Sequence, residues 1–248
     1  MKYLLLLFIL LITSGCERKE NAVSSEKNNA VVIKNLVSQA IDSNAVANNK
    51  LANLIDYSLP VMNNYNSIIV DSIIADNKTY YYVLLENPNP LYNKFAVYDS
   101  LLMPLLIDKS LNGNIFLEKI NTNGEEFIKV EEAYLSKDTL VLNRLSLYLA
   151  DASGVSLVFR THTKFAKPEI EYFQDIIEIS DTLTLIKTRI SSSEKSDLNN
   201  KEDNFSYDPS TRKYLSTQNL FDEFIKKEIE SFNYKPGKEQ LIDPNLLK

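Results

Sequence analysis

The sequence is poor in the residues that build most disulfide, metal and phosphate sites. Its 248 residues include one cysteine, one histidine, no tryptophan and five glycines. A lone cysteine cannot form an intramolecular disulfide, and a lone histidine argues against a histidine-based zinc site or a serine–histidine–aspartate triad. With so few glycines there is no glycine-rich phosphate loop. These absences favour a non-enzymatic protein with no catalytic residue, no metal and no cofactor.

An excess of positive charge is lacking as well. The formal net charge is −6, and removal of the first fifteen residues, whose only charged residue is Lys2, makes it −7. Nucleic-acid binding usually needs a basic patch that neutralises phosphates, so no nucleic-acid partner is expected.

Long apolar runs are also missing. The run Leu4–Ile12 is far shorter than the roughly 18 residues that span a bilayer.

What the N-terminus does contain is an export signal. Lys2 precedes the apolar run, and small residues follow it, which is the three-part plan of a signal peptide. Thr13-Ser14-Gly15-Cys16 resembles a bacterial lipobox, in which the cysteine thiol is lipidated and cleavage makes that cysteine the first residue. The third residue before the cysteine is usually leucine and is Thr13 here. Ordinary cleavage, which releases a free secreted protein, is therefore the alternative.

The resemblance implies a bacterial lipoprotein with a signal peptide over residues 1–15 and a lipid on Cys16. It implies a cell-envelope location on the outer membrane, with the membrane itself as one partner through the lipid anchor. Residues 16–30 are polar and predict a flexible tether. An envelope protein or a glycan is the expected further partner of the exported region.

The exported region combines helical and strand patterns. Apolar residues recur at helical spacing at Ile33, Leu36, Val37, Ala40 and Ile41, and again at Leu51, Leu54 and Ile55. Strand-like segments then alternate with short polar turns, among which Asn123-Gly124 is the strongest hairpin signal. The predicted strand pairs are 67–75 with 79–87, 115–121 with 126–135, 140–149 with 155–165, 170–179 with 183–190, and 205–207 with 213–215. Residues 95–99 and 105–108 are further short strand candidates.

Because no helices intervene, these pairs predict an antiparallel meander and exclude a mainly parallel sheet. The predicted class is α+β, mainly β, arranged as a curved sheet, an open barrel or a sandwich. N-terminal helical segments precede the sheet. A C-terminal amphipathic helix over 220–232, capped by Ser216 or Thr217, follows it. Residues 31–235 are predicted to form a single domain with an exposed loop at 191–204, and residues 236–248 a tail.

The only histidine, His162, lies in a segment that alternates like a strand. Strict alternation places Arg160, His162 and Lys164 on the face opposite Phe159 and Phe165. The expectation is a solvent-facing histidine, whose replacement by alanine changes stability by no more than roughly 0.5 kcal/mol. The other interpretation is a small cationic stripe that binds an anion.

Residues 108–119 resemble the start of an EF-hand calcium loop. Asp108, Ser110 and Asn112 occupy ligand positions one, three and five, and Gly113 occupies position six. Position twelve should be a bidentate glutamate and is Lys119, so tight calcium binding is not expected. A hairpin turn on Asn112-Gly113 explains the same residues.

Four tripeptides share the order aspartate, hydroxyl residue, aliphatic residue. They resemble an O-glycosylation sequence of some Gram-negative envelope proteins, which would make the hydroxyls modification sites. Strand starts after turns produce the same pattern. The candidate hydroxyls are Ser72, Ser100, Thr139 and Thr182.

The predicted function is a non-enzymatic binding or assembly role at the membrane. One alternative is an envelope hydrolase that uses a carboxylate pair, with Glu125/Glu126, Glu131/Glu132 and Asp175/Glu178 as the candidate acids. The other alternative is an inhibitor or immunity-type lipoprotein, which a large exposed apolar patch would favour.

Overall fold

The computed structural model describes residues 31, 32, 35, 36, 39, 67–86, 93–101, 103–135 and 140–231. The predicted signal peptide, Cys16, the tether, Thr139 and the tail lie outside these residues. Of the two predicted N-terminal helical segments, the structure describes only a few positions of the first, and these are helical: Val31, Val32, Asn35, Leu36 and Gln39. The rest of both segments lies outside the described residues.

The described chain is mainly β, as predicted, and forms two antiparallel meanders. The first is a four-stranded sheet with the order β1-β2-β3-β4, here called the small sheet. Its opening hairpin turns at Asp76 and Asn77, which both have positive φ, as a tight turn between twisted strands requires. The strands are β1 (Ser67–Ala75), β2 (Lys78–Glu86), β3 (Lys94–Tyr98) and β4 (Pro104–Asp108).

The large sheet contains eight strands, again in sequence order. Its first hairpin turns at Asn123-Gly124, as the sequence predicts, with positive φ at both residues. Neither strand order closes on itself among the described residues. The strands are β5 (Asn114–Thr122), β6 (Glu125–Leu135), β7 (Val141–Asp151), β8 (Gly154–Lys167), β9 (Ile170–Ile179), β10 (Leu185–Ser192), β11 (Glu202–Asp208) and β12 (Lys213–Leu215).

The two sheets pack face to face. Their shared core contains Tyr82 and Phe95 from the small sheet and Ile128 and Tyr148 from the large sheet. The ring centroids of Phe95 and Tyr148 are 4.7 Å apart. Burial of these large side chains between two sheets is the main favourable contribution to stability that this layer can make.

The last strands of the large sheet cover its other face. A second core joins Phe127, Leu147 and Phe159 of β6–β8 to Phe205 and Tyr214 of β11 and β12. Because Phe127 alternates with Ile128 along β6, this second core lies on the face opposite the small sheet. Strand β8 therefore has protein on both sides.

The large sheet bends where β8 and β9 separate. The two strands pair only over Lys164–Lys167 and the facing residues 170–173. Beyond that pairing, Gln174 is buried between the strands, and its Nε2 donates to the carbonyl oxygen of His162 at 2.9 Å and to Oγ1 of Thr161 at 2.8 Å. The glutamine side chain thus replaces ladder hydrogen bonds that the bend removes.

The predicted C-terminal helix is present as α1 (Leu220–Ser231). Phe221, Ile225 and Ile229 form its buried stripe and pack on Leu142 of β7 and Phe165 of β8. Helix α1 covers the end of β7 and β8 that the small sheet leaves open.

The predicted helix cap is wrong. The amide of Leu220 donates to Oδ2 of Asp203, a buried residue of β11, at 2.8 Å. Ser216 instead accepts hydrogen bonds from the amides of Gln218 and Asn219, and so stabilises the turn that precedes the helix. A carboxylate from a neighbouring strand therefore performs the capping role that the sequence suggested for a local hydroxyl.

The predicted exposed loop at 191–204 is shorter than expected. Strand β10 continues to Ser192, and β11 begins at Glu202. The turn between them is tied at its base by two backbone hydrogen bonds of 2.8 Å, in which Ile190 donates to Lys201 and accepts from Asn200. Polar composition alone therefore predicted a longer loop than the structure contains.

Candidate functional site

An open groove of about 560 Å³ crosses the large sheet from β5 to β9. Its walls carry both polar and apolar side chains, contributed by neighbouring strands. Lys129 and Glu131 follow Phe127 along β6, so the groove continues the face that carries the second core. The side chains that matter for its chemistry are Phe116, Lys129, Glu131, Asn143, Lys164 and Phe173.

Two phenylalanine rings give the groove its apolar surface. Phe116 on β5 is 56% exposed, which is unusual for so large an apolar side chain in the middle of a strand. Phe173 on β9 lies beneath the ammonium group of Lys164, whose Nζ is 4.9 Å from the ring centroid. Exposed aromatic surface beside fixed charges is typical of binding surfaces.

The charged side chains of the groove are held in place. Nζ of Lys129 lies 2.8 Å from Oε1 of Glu131 and 3.2 Å from Oε1 of Glu118. Nζ of Lys164 lies 3.1 Å from Oε1 of Glu171. Burial lowers the pKa of Lys129, but its two carboxylate partners outweigh that effect and raise the pKa above its ordinary value. The lysine is therefore charged throughout the physiological range.

One polar atom of the groove lacks a partner. Oδ1 of Asn143 is buried and accepts no hydrogen bond from the described residues. A buried carbonyl without a donor costs roughly 1–3 kcal/mol. Asn143 lies where β7 and β8 shift register.

The predicted surface position of His162 is wrong. The residue is 4% exposed, and its Nδ1 is 2.8 Å from Oδ1 of Asp222 on helix α1. Its backbone amide donates to the same oxygen at 3.0 Å. Burial raises the pKa of Asp222, but His162 and the hydrogen bonds outweigh burial and lower it. We therefore assign this pair to the docking of α1 on β8.

Arg160 and His162 do lie opposite Phe159, but the face prediction failed for Lys164 and Phe165 because β8 contains a bulge before them. His162 pairs with Arg144 and Lys164 pairs with Asn143, so Thr163 is an extra residue on β8. A bulge of this kind reverses the alternation, and His162 and Lys164 consequently point to opposite faces. The predicted stripe of Arg160, His162 and Lys164 does not exist.

Arg160 belongs to a buried ionic cluster between the sheets. Its Nη2 donates to Oδ2 of Asp108 at 2.5 Å, and its Nη1 donates to Oγ of Ser110 at 2.7 Å. Nearby, Arg144 holds Glu132 through two hydrogen bonds of 2.7 and 2.8 Å. Asp108 and Arg160 join the end of β4 to β8, whereas Arg144 and Glu132 belong to the large sheet and hold the following segment through the carbonyl oxygen of Ser110 and the amide of Asn112.

The calcium-like residues take part in this cluster. Oδ1 of Asp108 accepts hydrogen bonds from the amide and hydroxyl of Ser110, at 2.8 and 2.7 Å. Asn112-Gly113 does not form the predicted hairpin, because β4 and β5 belong to different sheets and the chain crosses between them there. Within the described ranges, no three histidine, cysteine, aspartate or glutamate side chains form a group that could hold a metal ion.

The neighbouring acids Glu131 and Glu132 point to opposite faces of β6. Glu131 is exposed in the groove and bound by Lys129, whereas Glu132 is 3% exposed and bound by Arg144. A hydrolytic pair requires two carboxylates that face one cleft at a set separation. Glu131 and Glu132 therefore do not form such a pair.

The glycosylation-like tripeptides occupy different settings. Ser72 is half-buried in the middle of β1, Ser100 lies in the turn after β3, and Thr182 is exposed in the turn between β9 and β10. Of these three candidate hydroxyls, only those of Ser100 and Thr182 lie in turns, where a sugar could be attached. Their modification stays a prediction.

Sequence reasoning did not identify Phe116, Asn143 or Phe173 as site residues. Phe116 and Phe173 fit the alternating strand pattern as ordinary core residues, and a bulge is not visible in the sequence. No helix in the described part of the chain is long and apolar enough to cross a membrane. A scan of protein-family models, a search of curated proteins and a search of solved structures each returned no match to this chain.

Proposed function

We propose that the chain is a lipid-anchored envelope protein that binds a polypeptide segment of another envelope protein in the groove of the large sheet. The observation that carries the anchor is the position of the only cysteine. Cys16 directly follows the small residues that end the apolar run Leu4–Ile12. Two or more acyl chains on that cysteine would give stable anchoring, since each buried CH₂ contributes roughly 0.8 kcal/mol.

Three features of the groove support a polypeptide ligand. The exposed ring of Phe116 and the ring of Phe173 offer apolar contacts. Fixed charges of both signs, on Lys129 and Glu131, complement the mixed charges of a protein surface. Asn143 adds a polar side chain to the lining of the groove. A neutral glycan would use the aromatic rings but offers no charges to match.

The anchor is tested by replacing the cysteine. In cells grown with labelled palmitate, we expect the wild type to carry label and to sediment with membranes, and Cys16→Ser to lose both properties. The matched control combines Cys16→Ser with Ser24→Cys, which retains one thiol but moves it away from the cleavage position. Membrane retention of Cys16→Ser, or labelling of the control, would refute the anchor.

The groove is tested by crosslinking in cells. A photoreactive amino acid at Phe116 should form an adduct that protease digestion removes. The same group at Ile74, which is 62% exposed on the small sheet, is the control and should form none. Equal adducts at both positions, or a protease-resistant adduct at Phe116, would contradict polypeptide binding in the groove.

A further inference from the structure

The side of the small sheet that faces away from the large sheet is apolar and buried. We call this side the outer face and define it by Tyr81, Val83 and Leu85 of β2 and Ala96 and Tyr98 of β3. Each of these side chains is at most 2% exposed. Ile74 lies on the same side at the edge of the sheet and is 62% exposed, so protein covers the centre of the outer face and leaves that edge open.

The described strands explain only the burial of the inner side. Tyr80, Tyr82 and Leu84 alternate with the outer residues along β2 and belong to the core shared with the large sheet. Within the described part of the chain, the apolar clusters contain none of the outer residues. Because the exposed fractions refer to this chain alone, another part of the same chain must cover these residues.

We propose that the N-terminal segment, residues 31–59, docks on the outer face and covers it. The segment precedes β1, the edge strand beside β2, so its chain leads directly to this sheet. Its apolar residues recur at helical spacing. The outer residues lie on two adjacent strands, about 5 Å apart, and extend about 14 Å along β2, which matches one helix of about nine residues.

The described residues of this segment support its docking on the outer face. Val31, Val32, Asn35, Leu36 and Gln39 are helical. Four of them are exposed, whereas Leu36 is partly covered. Leu36 is also the only one of the five that belongs to the predicted apolar stripe. A helix with one covered side is what docking requires.

Other parts of the chain fit the outer face less well. The C-terminal tail contains Pro236, Gly237 and Pro244, which interrupt helical and strand patterns. A second copy of the chain cannot be the cover, because the outer residues are already buried within a single chain.

Docking would also shorten the tether, a consequence that rests on the proposed lipid anchor. With residues 31–59 on the sheet, only residues 16–30 separate the lipid from the domain, which gives a root-mean-square reach of about 20 Å. Without docking, residues 16–66 would act as the tether, with a reach of about 40 Å. The docked segment would keep the small sheet close to the membrane.

The first test cuts the chain between the segment and β1. A protease site is inserted between Met62 and Asn63 in mature protein that carries Cys16→Ser, so the lipid plays no part in the result. After cleavage we expect the fragment to elute with the domain in equal amounts on size exclusion, as a one-to-one complex. A folded domain that elutes without the fragment would overturn the proposal, and so would an uncut protein that elutes as a dimer.

The second test uses a thiol on the outer face. Val83→Cys in the Cys16→Ser background introduces the only thiol, and we expect it to react with a maleimide slowly. Leu54→Asp should accelerate this reaction at least about tenfold, because it places a charge on the apolar stripe. Asn53→Asp is the matched control and should leave the rate unchanged.

Equal rates in Leu54→Asp and Asn53→Asp would overturn docking of this segment. Circular dichroism of both variants checks that the sheets stay folded. If Leu54→Asp unfolds the protein, the cleavage test on the otherwise unchanged chain decides the matter. Failure of the lipid anchor would affect neither test.

Discussion

The pairing of Asp108 with Arg160 should control how the protein responds to acid. Burial raises the pKa of Asp108, but the charge of Arg160 and the hydrogen bonds from Ser110 outweigh it and lower the pKa from its ordinary value of 3.8 to about 2. A lowered pKa means that the folded state favours the ionised carboxylate. The resulting stability is fully present above about pH 4 and is lost as the pH falls towards 2.

The size of this contribution follows from the two pKa values. The difference between 3.8 and about 2 corresponds to roughly 2 kcal/mol of unfolding free energy at neutral pH. Asp108→Asn removes the titrating group, so it should remove this part of the pH dependence. At pH 7 the variant should also be less stable by about 3–5 kcal/mol, because Arg160 is left buried without a charged partner.

Urea unfolding curves between pH 7 and pH 2 measure both effects. The wild type should lose roughly 2 kcal/mol more than Asp108→Asn over the acid limb. Ser110→Ala, which removes the hydroxyl hydrogen bond to the carboxylate and keeps the one from the backbone amide, should fall between them. Parallel loss of stability in the wild type and Asp108→Asn would show that Asp108 is not held ionised by Arg160.

Two further substitutions test the register of the large sheet and the crossover between the sheets. His162→Ala should destabilise the protein by at least about 2 kcal/mol, since it removes the imidazole partner of the buried Asp222 carboxylate and opens a cavity. A change within about 0.5 kcal/mol in denaturant melts would instead place the histidine in solvent. Gly113→Ala should cost clearly more than Gly124→Ala in thermal melts. Both glycines have positive φ, but a Cβ at Gly113 would lie 2.2 Å from the carbonyl oxygen of Ala133, whereas one at Gly124 would meet nothing within 4 Å. Equal losses would mean that the backbone at Gly113 is free to move.

The meander could be predicted from the sequence because its signals are local. Short polar turns separate alternating segments, and the pairs around Asp76-Asn77 and Asn123-Gly124 need only a few neighbouring residues to specify them. The buried stripe of α1 is equally local, since Phe221, Ile225 and Ile229 repeat at helical spacing. These elements agree with the structure to within a few residues.

The faces of β8 could not be predicted, because they depend on contacts far away in the chain. A polar residue in an alternating strand faces solvent only if that side of the sheet is open. Here α1 covers the side of His162, and the extra residue Thr163 turns Lys164 to the groove. The cap of α1 is missed for the same reason, since Asp203 comes from β11 rather than from the preceding turn.

The buried charges lie where the layers of the protein meet. Asp108 and Arg160 join the crossover between the sheets to β8, and His162 and Asp222 join α1 to the same strand. A sheet that is apolar on both faces can bury the same area in several alignments, because hydrophobic attraction has no direction. A buried ion pair has one favourable geometry, and a misaligned layer would leave charges unpaired at a cost of several kcal/mol. We therefore infer that these pairs select one alignment of the layers, and the end of β7 and β8 that lines the groove is fixed with them.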